Sequence, residues 1–245
     1  MRRVLKRNRI PFALWHKVTR HLTLLQYLDA VKMARLRTLT TWFLHNKSIN
    51  GAQGLTVTLA MRITVAAQAS LLILNLDIDY FDNWVEVILY PGAFRVEHEE
   101  RDNNGLVSNE ARVLSGEAWL RGPVILSWED VERDSYHTHP GHNVVVHEFA
   151  HKLDGLNGST NGLPPLPRGM KQNDWAAALN ASYEALRKHE EAGETTHINS
   201  YAATNPAEYF AVVSEYLFTA PEILKENCPA VHKQLILFYQ QSRLR

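Results

Sequence analysis

Apolar residues near the start of the chain recur at helical spacing. Leu14, Val18, Leu22, Leu25, Leu28, Val31, Leu36, Leu39 and Phe43 predict helix through residues 13–45, and Asn50-Gly51 and Gly54 then break it. A second helix is predicted over 58–75. Its apolar run, 65–76, is too short to span a bilayer and contains Gln68, Ser70 and Asn75, so a buried helix is expected. Between 84 and 128 the period shortens. Val85, Val87 and Leu89 alternate, and Ala118-Trp119-Leu120 and Val124-Ile125-Leu126 read as strands separated by Gly122-Pro123.

Helical spacing returns at Val144, Val145, Val146, Phe149, Ala150 and Leu153, preceded by the breaker Pro140-Gly141 and a capping residue, Asn143. Three consecutive valines weaken an isolated helix, so packing must hold this one. Residues 162–167, with Pro164-Pro165, read as a loop. Residues 172–192 read as an amphipathic helix bearing Trp175, Leu179, Tyr183 and Leu186. No internal repeat is visible. The expectation is an α+β fold in one domain, with a small sheet preceding the helix at 144 and a mainly helical remainder. Residues 1–50 would form a basic, helical N-terminal segment and 51–245 the core.

Chemistry enters at His147-Glu148-Phe149-Ala150-His151, an HExxH pattern within the expected helix. Residues four apart share a helix face, so both imidazoles can meet one ion with Glu148 alongside. Two neutral imidazoles suit Zn2+, and the carboxylate can take a proton from zinc-bound water. Random placement of this chain's histidines and glutamates yields roughly 0.04 such matches. The alternative is two surface histidines on an ordinary helix.

A catalytic zinc takes three protein ligands and keeps one position open. The metzincin arrangement would need Gly at 154 and His at 157, where this chain has Asp154 and Asn157. What remains is a carboxylate on a later helix. The segment from Asn205 to Phe218 has a good N-cap in Asn205, Pro206 at the first helical position, and Glu208 and Glu215 two turns apart on an otherwise apolar face. Spacing leaves Glu208 open as a ligand or as the partner of Asn205 in a capping box, with Glu215 the weaker ligand candidate.

Several blocks resemble the Mlc titration factor A (MtfA) family. They are Met61-Arg62 through Ala66-Ala67-Gln68-Ala69, Ser115-Gly116-Glu117-Ala118-Trp119, Gly122-Pro123-Val124-Ile125-Leu126-Ser127-Trp128, the stretch from His147 to Asp154, and that from Pro206 to Phe218. The likeness runs from Phe43 to Tyr239. It implies a cytosolic zinc peptidase of the gluzincin type, related in catalytic-domain fold to the anthrax lethal factor peptidase. It also implies aminopeptidase-like action on short peptides or exposed termini and binding of the glucose-system repressor Mlc. Carried over by position, His147, His151 and Glu208 would bind one zinc ion and Glu148 would be the general base. Tyr201 would stabilise the tetrahedral intermediate, and residues 124–128 would form the edge strand that pairs with the substrate.

A tyrosine hydroxyl suits that task because it is neutral at pH 7 and can donate to a developing oxyanion; packing on the core is the alternative for Tyr201. The turn Gly155-Leu156-Asn157-Gly158 departs from the family's Asp-rich turn. Asp154 is left either behind a ligand histidine or bonding the turn at the helix end.

Composition changes little in this picture. Apolar content of 45% and charged content of 21% are those of a globular enzyme. Zero formal net charge demands neither nucleic acid nor membrane. Arg2, Arg3, Lys6, Arg7 and Arg9 cluster at the start, as a solvated tail or as a contact for phosphate or an acidic partner. The lone Cys228 makes no internal disulfide, and the start lacks the apolar core and cleavage site of a secretory signal, so a cytoplasmic location is expected. His137, His139 and His142 lie in a loop without a paired carboxylate or cysteine and read as rim histidines rather than a second metal site.

Overall fold

The computed structural model describes residues 10–82, 84–92 and 122–241. The arginine-rich start, the expected strand at Ala118-Trp119-Leu120 and the block from Ser115 to Trp119 lie outside the described residues.

The periodic stretch 13–45 is two helices, not one: α1 (Phe12–Thr19) and α2 (Ala30–Asn46), joined through a 3-10 turn at Thr23–Leu25. Leu22, Leu24 and Leu25 are all buried, a set that cannot share one face of an α-helix. Asp29 opens α2 by accepting the Lys32 amide at 2.8 Å. Val31, counted with the apolar stripe, is instead 80% exposed.

Strand β1 (Ser48–Gly51) occupies the expected break at Asn50-Gly51, and is followed by α3 (Leu59–Leu72), a 3-10 turn at Ile78–Phe81, β2 (Glu86–Tyr90) and β3 (Val124–Ser127). The three strands are parallel in the order β1-β2-β3, with Ile49 opposite Val87 and Val87 opposite Val124. The β1-α3-β2 unit is the helical crossover that a parallel pair requires. Helix α3 is buried, as its composition demands: Ile63, Val65, Leu71 and Leu72 are at 0% exposure. Strand β3 ends the sheet among the described residues. Trp128, expected in this strand, opens helix α4 (Trp128–Tyr136), because Ser127 caps the amide of Asp130 and Glu129 and Asp130 lie in the first turn.

Helix α5 (Val144–Asp154) carries the HExxH residues, with a 3-10 turn (Gly155–Asn157) at its end. Then follow α6 (Gln172–Glu191), a 3-10 turn (Ser200–Ala203), α7 (Pro206–Thr219), α8 (Pro221–Asn227) and α9 (Pro229–Phe238). Val145, Val146, Phe149, Ala150 and Leu153 are fully buried, which supplies the packing that the valine run needs. Phe149 meets Phe43, Phe81 and Trp84 with ring centroids 5.4–5.8 Å apart, so α2, the 3-10 turn at Ile78–Phe81 and the approach to β2 all press on the back of α5. Helix α7 is buried along nearly its whole length. Gly141, at φ +68, lets the loop before α5 touch it: a Cβ there would stand 2.2 Å from the Tyr216 ring.

Lys47 fastens the aromatic layer. Its buried ammonium donates to the carbonyls of Phe81 and Trp84 and lies 4.2 Å from the centroid of the Trp84 ring. Burial, only partly offset by Asp82, pushes its pKa down from 10.5 to about 8. Between these values the unfolded chain binds the proton and the folded chain releases it, so stability from this group rises with pH across that window. Urea unfolding at intervals from pH 8 to 10 should therefore show the wild type gaining stability relative to Lys47→Met. A constant difference across the series would show that Lys47 keeps its ordinary pKa in the fold.

Candidate metal centre

The site begins with how α5 starts. Asn143 accepts the Val146 amide at 2.9 Å, while its own side-chain amide donates to Gln68 Oε1 at 3.0 Å. Gln68 in turn donates to Ser135 Oγ at 2.8 Å. All three side chains are at 0% exposure, so the first turn of α5 is pinned by a satisfied buried polar chain running to α3 and α4.

One turn further on, His147 and His151 bring their rings together with centroids 4.8 Å apart. Glu208 reaches them from the first turn of α7. Its Oε2 lies 3.0 Å from His147 Nε2 and 3.3 Å from His151 Nε2, and the two Nε2 atoms are 3.2 Å apart. Asn205 alone caps α7, accepting the amides of Ala207 and Glu208 at 2.9 and 3.0 Å. The Glu208 carboxylate is thus directed to the histidines and not back into a capping box.

Three donor atoms with edges of 3.0, 3.2 and 3.3 Å form a triangle slightly smaller than one face of a zinc tetrahedron. Ligands about 2.0–2.2 Å from a tetrahedral zinc ion stand about 3.3–3.6 Å from one another. Among the described residues this is the one group of three or more His, Cys, Asp and Glu side chains that could hold an ion. Two imidazoles and a carboxylate are also a donor set that zinc accepts.

Behind His147 stands Glu215, whose Oε1 lies 2.7 Å from Nδ1. A carboxylate only accepts, so the proton of a neutral His147 ring sits on Nδ1 and the Nε2 lone pair faces Glu208 and His151. The other oxygen of Glu215 accepts the Asn143 amide and lies 3.5 Å from His142 Nδ1. Burial would raise the Glu215 carboxyl, but its bonds with His142 and His147 and that amide hold it below the ordinary range. Glu208 is similar: burial opposes its charge, yet the two imidazoles bring it down to about 2. Burial disfavours the imidazolium of His147, and the carboxylates on both sides outweigh that, pushing it up to about 10. Without an ion, a proton on His147 Nε2 offsets the Glu208 carboxylate, and a cation bound at the triangle would take that proton's place.

Glu148 is half-buried, and burial raises its carboxyl above the ordinary range against the pull of His147 and His151. Tyr201, on the 3-10 turn before α7, is 53% exposed, with its ring 6.0 Å from that of His147. Burial and then the carboxylates of Glu208 and Glu148 raise its pKa, with a hydrogen bond to Glu208 adding to the effect, so the phenol keeps its proton. It does not pack into the core.

Asp154 and Glu215 take separate places around the site. Asp154 is fully buried, and its Oδ2 accepts the Gly162 amide at 2.8 Å, so it bonds the loop after the helix-end turn and neither His147 nor His151. Gly162, at φ +77, abuts α7: a Cβ there would lie 2.6 Å from the Pro206 carbonyl, two residues before Glu208. The place behind His147 belongs to Glu215, which spacing had offered as the weaker ligand candidate. Of the three loop histidines, His142 lies against Asp134 (3.6 Å) and Glu215, whereas His139 and His142 only bridge through their backbones.

The profile of the glucose-regulated metallo-peptidase M90 family matches residues 1–240. The chain belongs to that family. It is 40% identical to Mlc titration factor A of Serratia proteamaculans over 225 residues, covering 90% of this chain and 84% of the relative. It is 39% identical to Mlc titration factor A of Klebsiella pneumoniae over 224 residues (90% and 83%), and 36% identical to that of Yersinia pestis over 236 residues (95% and 86%). The chain is thus that of a metallopeptidase family, and these relatives are named for the titration of Mlc. Among the described residues no helix is long and apolar enough to cross a membrane.

Removing the Glu215 carboxylate would strand the His147 Nδ1 proton and the Asn143 amide in a buried site. Glu215→Ala should cost about 3–5 kcal/mol in urea unfolding of the metal-free protein, and Glu215→Gln should weaken metal affinity roughly 10- to 100-fold. Unchanged metal titrations for Glu215→Gln would deny Glu215 any hold on the His147 ring.

Proposed function

We propose that the chain is a zinc-dependent, aminopeptidase-like peptidase in which His147, His151 and Glu208 hold the ion, Glu148 is the general base and Tyr201 stabilises the oxyanion. The observation that carries this is the donor triangle with edges near those of a zinc tetrahedron, flanked by a carboxylate and an exposed phenol. A zinc ion held there supplies Lewis-acid polarisation of the scissile carbonyl and of the attacking water.

The remaining steps belong to the chain's own side chains. Glu148, with its carboxyl raised above the ordinary range, takes the proton of the attacking water and can return it to the departing amine. Tyr201 keeps its proton and donates it as a hydrogen bond to the oxygen that becomes negative. Glu215 orients the His147 ring. By the resemblance, an extended peptide would pair with β3, the last strand of the sheet among the described residues, through main-chain bonds. We take residues 1–245 as one peptidase unit, since α1 and α2 share the hydrophobic core that surrounds α5 and α7, and, by the resemblance alone, as acting in the cytoplasm.

The relatives' printed names favour a regulatory link, and we extend to this chain a contact with the repressor Mlc. The second reading is a repressor-sequestering protein with a structural zinc. Glu148→Gln separates them: it should retain one zinc per chain while lowering hydrolysis of amino-acid anilides about 10²- to 10⁴-fold. Tyr201→Phe should keep the metal and lower kcat about 10²- to 10³-fold. Glu208→Ala should lose most of its zinc in metal analysis, and full stoichiometry would remove Glu208 from the ligand set. If Glu148→Gln cleaves at the wild-type rate, the catalytic assignment fails; full repressor control by an inactive variant would favour sequestration.

A further inference from the structure

Charge is segregated along this neutral chain. Residues 1–47 hold eleven Lys and Arg against the single acid Asp29, so the remaining positions hold fifteen basic and twenty-five acidic residues. Asp29 is engaged at the start of α2. The ion pairs between described residues do not involve Lys17, Arg20, Lys32 or Arg35.

On this basic segment the structure has a concave apolar surface. Helix α1, the turn Thr23–Leu25 and α2 enclose a cleft of ≈ 440 Å³. Buried Trp15 and Leu25 and partly buried Met33 line it. Phe12 stands among the lining residues, 67% exposed, under the guanidinium of Arg37 at 5.6 Å. Arg37 is held in place by bonds to the Ile10 carbonyl, and Gln26 ties down the Arg20 carbonyl at 2.7 Å. The walls are therefore braced. Tyr27 (57% exposed) and Val31 (80%) continue the exposed apolar surface along the same segment.

We propose that this cleft docks an acidic segment of a partner protein, carrying two or three large apolar side chains that enter between α1 and α2 while its carboxylates meet Arg20 and Arg37, the two cations in a lining that holds no acid. Charge complementarity selects an acidic occupant, and the recessed apolar lining selects one with apolar anchors. A nucleic-acid backbone brings the charge without aliphatic anchors. A membrane-binding surface presents its apolar face outward, whereas this one is concave. The cleft shares no residue with the metal centre, so the inference stands or falls apart from the hydrolytic one.

The test pans a phage-displayed library of random peptides about 16 residues long on the full chain, after depletion on Ala34→Glu. Ala34 is an exposed cleft residue where glutamate keeps the helix and opposes an acidic ligand. Enriched peptides should be net acidic with at least two large apolar residues. They should bind Ala34→Glu and Arg20→Glu at least about tenfold more weakly in fluorescence anisotropy, and bind Lys188→Glu and Glu148→Gln as they bind wild type. Should Ala34→Glu fail to fold by circular dichroism, Arg20→Glu takes its place in the depletion. No enrichment beyond depletion, or enrichment of neutral or basic peptides, would overturn the proposal. So would cleft-dependent binding of single-stranded DNA or phosphatidylglycerol vesicles without peptide preference, or self-association in sedimentation that Ala34→Glu abolishes.

Discussion

A carboxylate taken out of water must be paired, and Glu215 finds its partners on the segment that opens α5: the ring of His147, the ring of His142 and the amide of Asn143. This contact fixes α7 against α5, and with it the relation between Glu208 and the two histidines of the motif. It also sets which nitrogen of His147 carries the proton, so that Nε2 is presented to the centre of the donor triangle. A single buried charge therefore serves packing and chemistry together.

The rest of the fold supports that pairing from both sides. The aromatic group of Phe43, Phe81, Trp84 and Phe149 presses on the apolar face of α5, and the chain Ser135–Gln68–Asn143 holds its first turn. On the other side, Asp154 holds the loop through Gly162, which lies against the Pro206 carbonyl at the start of α7. Rigid support of this kind matters because a ligand set displaced by an ångström loses affinity. The sheet contributes position more than area: its three short parallel strands deliver β3 to the start of α4 and set the level of α5.

Much of this was legible in order along the chain. Local signals act through the backbone and neighbouring side chains, so the caps Asn143 and Asn205, the helix carrying His147 and His151, the buried helix at 59–72 and the amphipathic helix at 172–191 follow from capping chemistry and periodicity. The break between α1 and α2 escaped because heptad-like spacing continues across it, and Leu24 finds burial only in the assembled core. Strand β1 escaped because four residues ending in Asn50-Gly51 have no strand signature; pairing with β2 makes it one.

The same division holds at the site. Sequence by itself determined where the candidate residues sit: two imidazoles and a carboxylate within about one helical turn, and two acids on one face of a later apolar helix, since these depend on helical period alone. Only the tertiary structure decided what each acid does. Glu208 and Glu215 share one helix face by spacing, but α7 crosses α5 so that Glu208 meets the Nε2 side of His147 and Glu215 the Nδ1 side. Asp154, three residues past His151, is turned to the Gly162 loop by the way α5 ends. Those outcomes rest on the crossing of two helices some sixty residues apart in sequence, a relation set by core packing that no local pattern encodes.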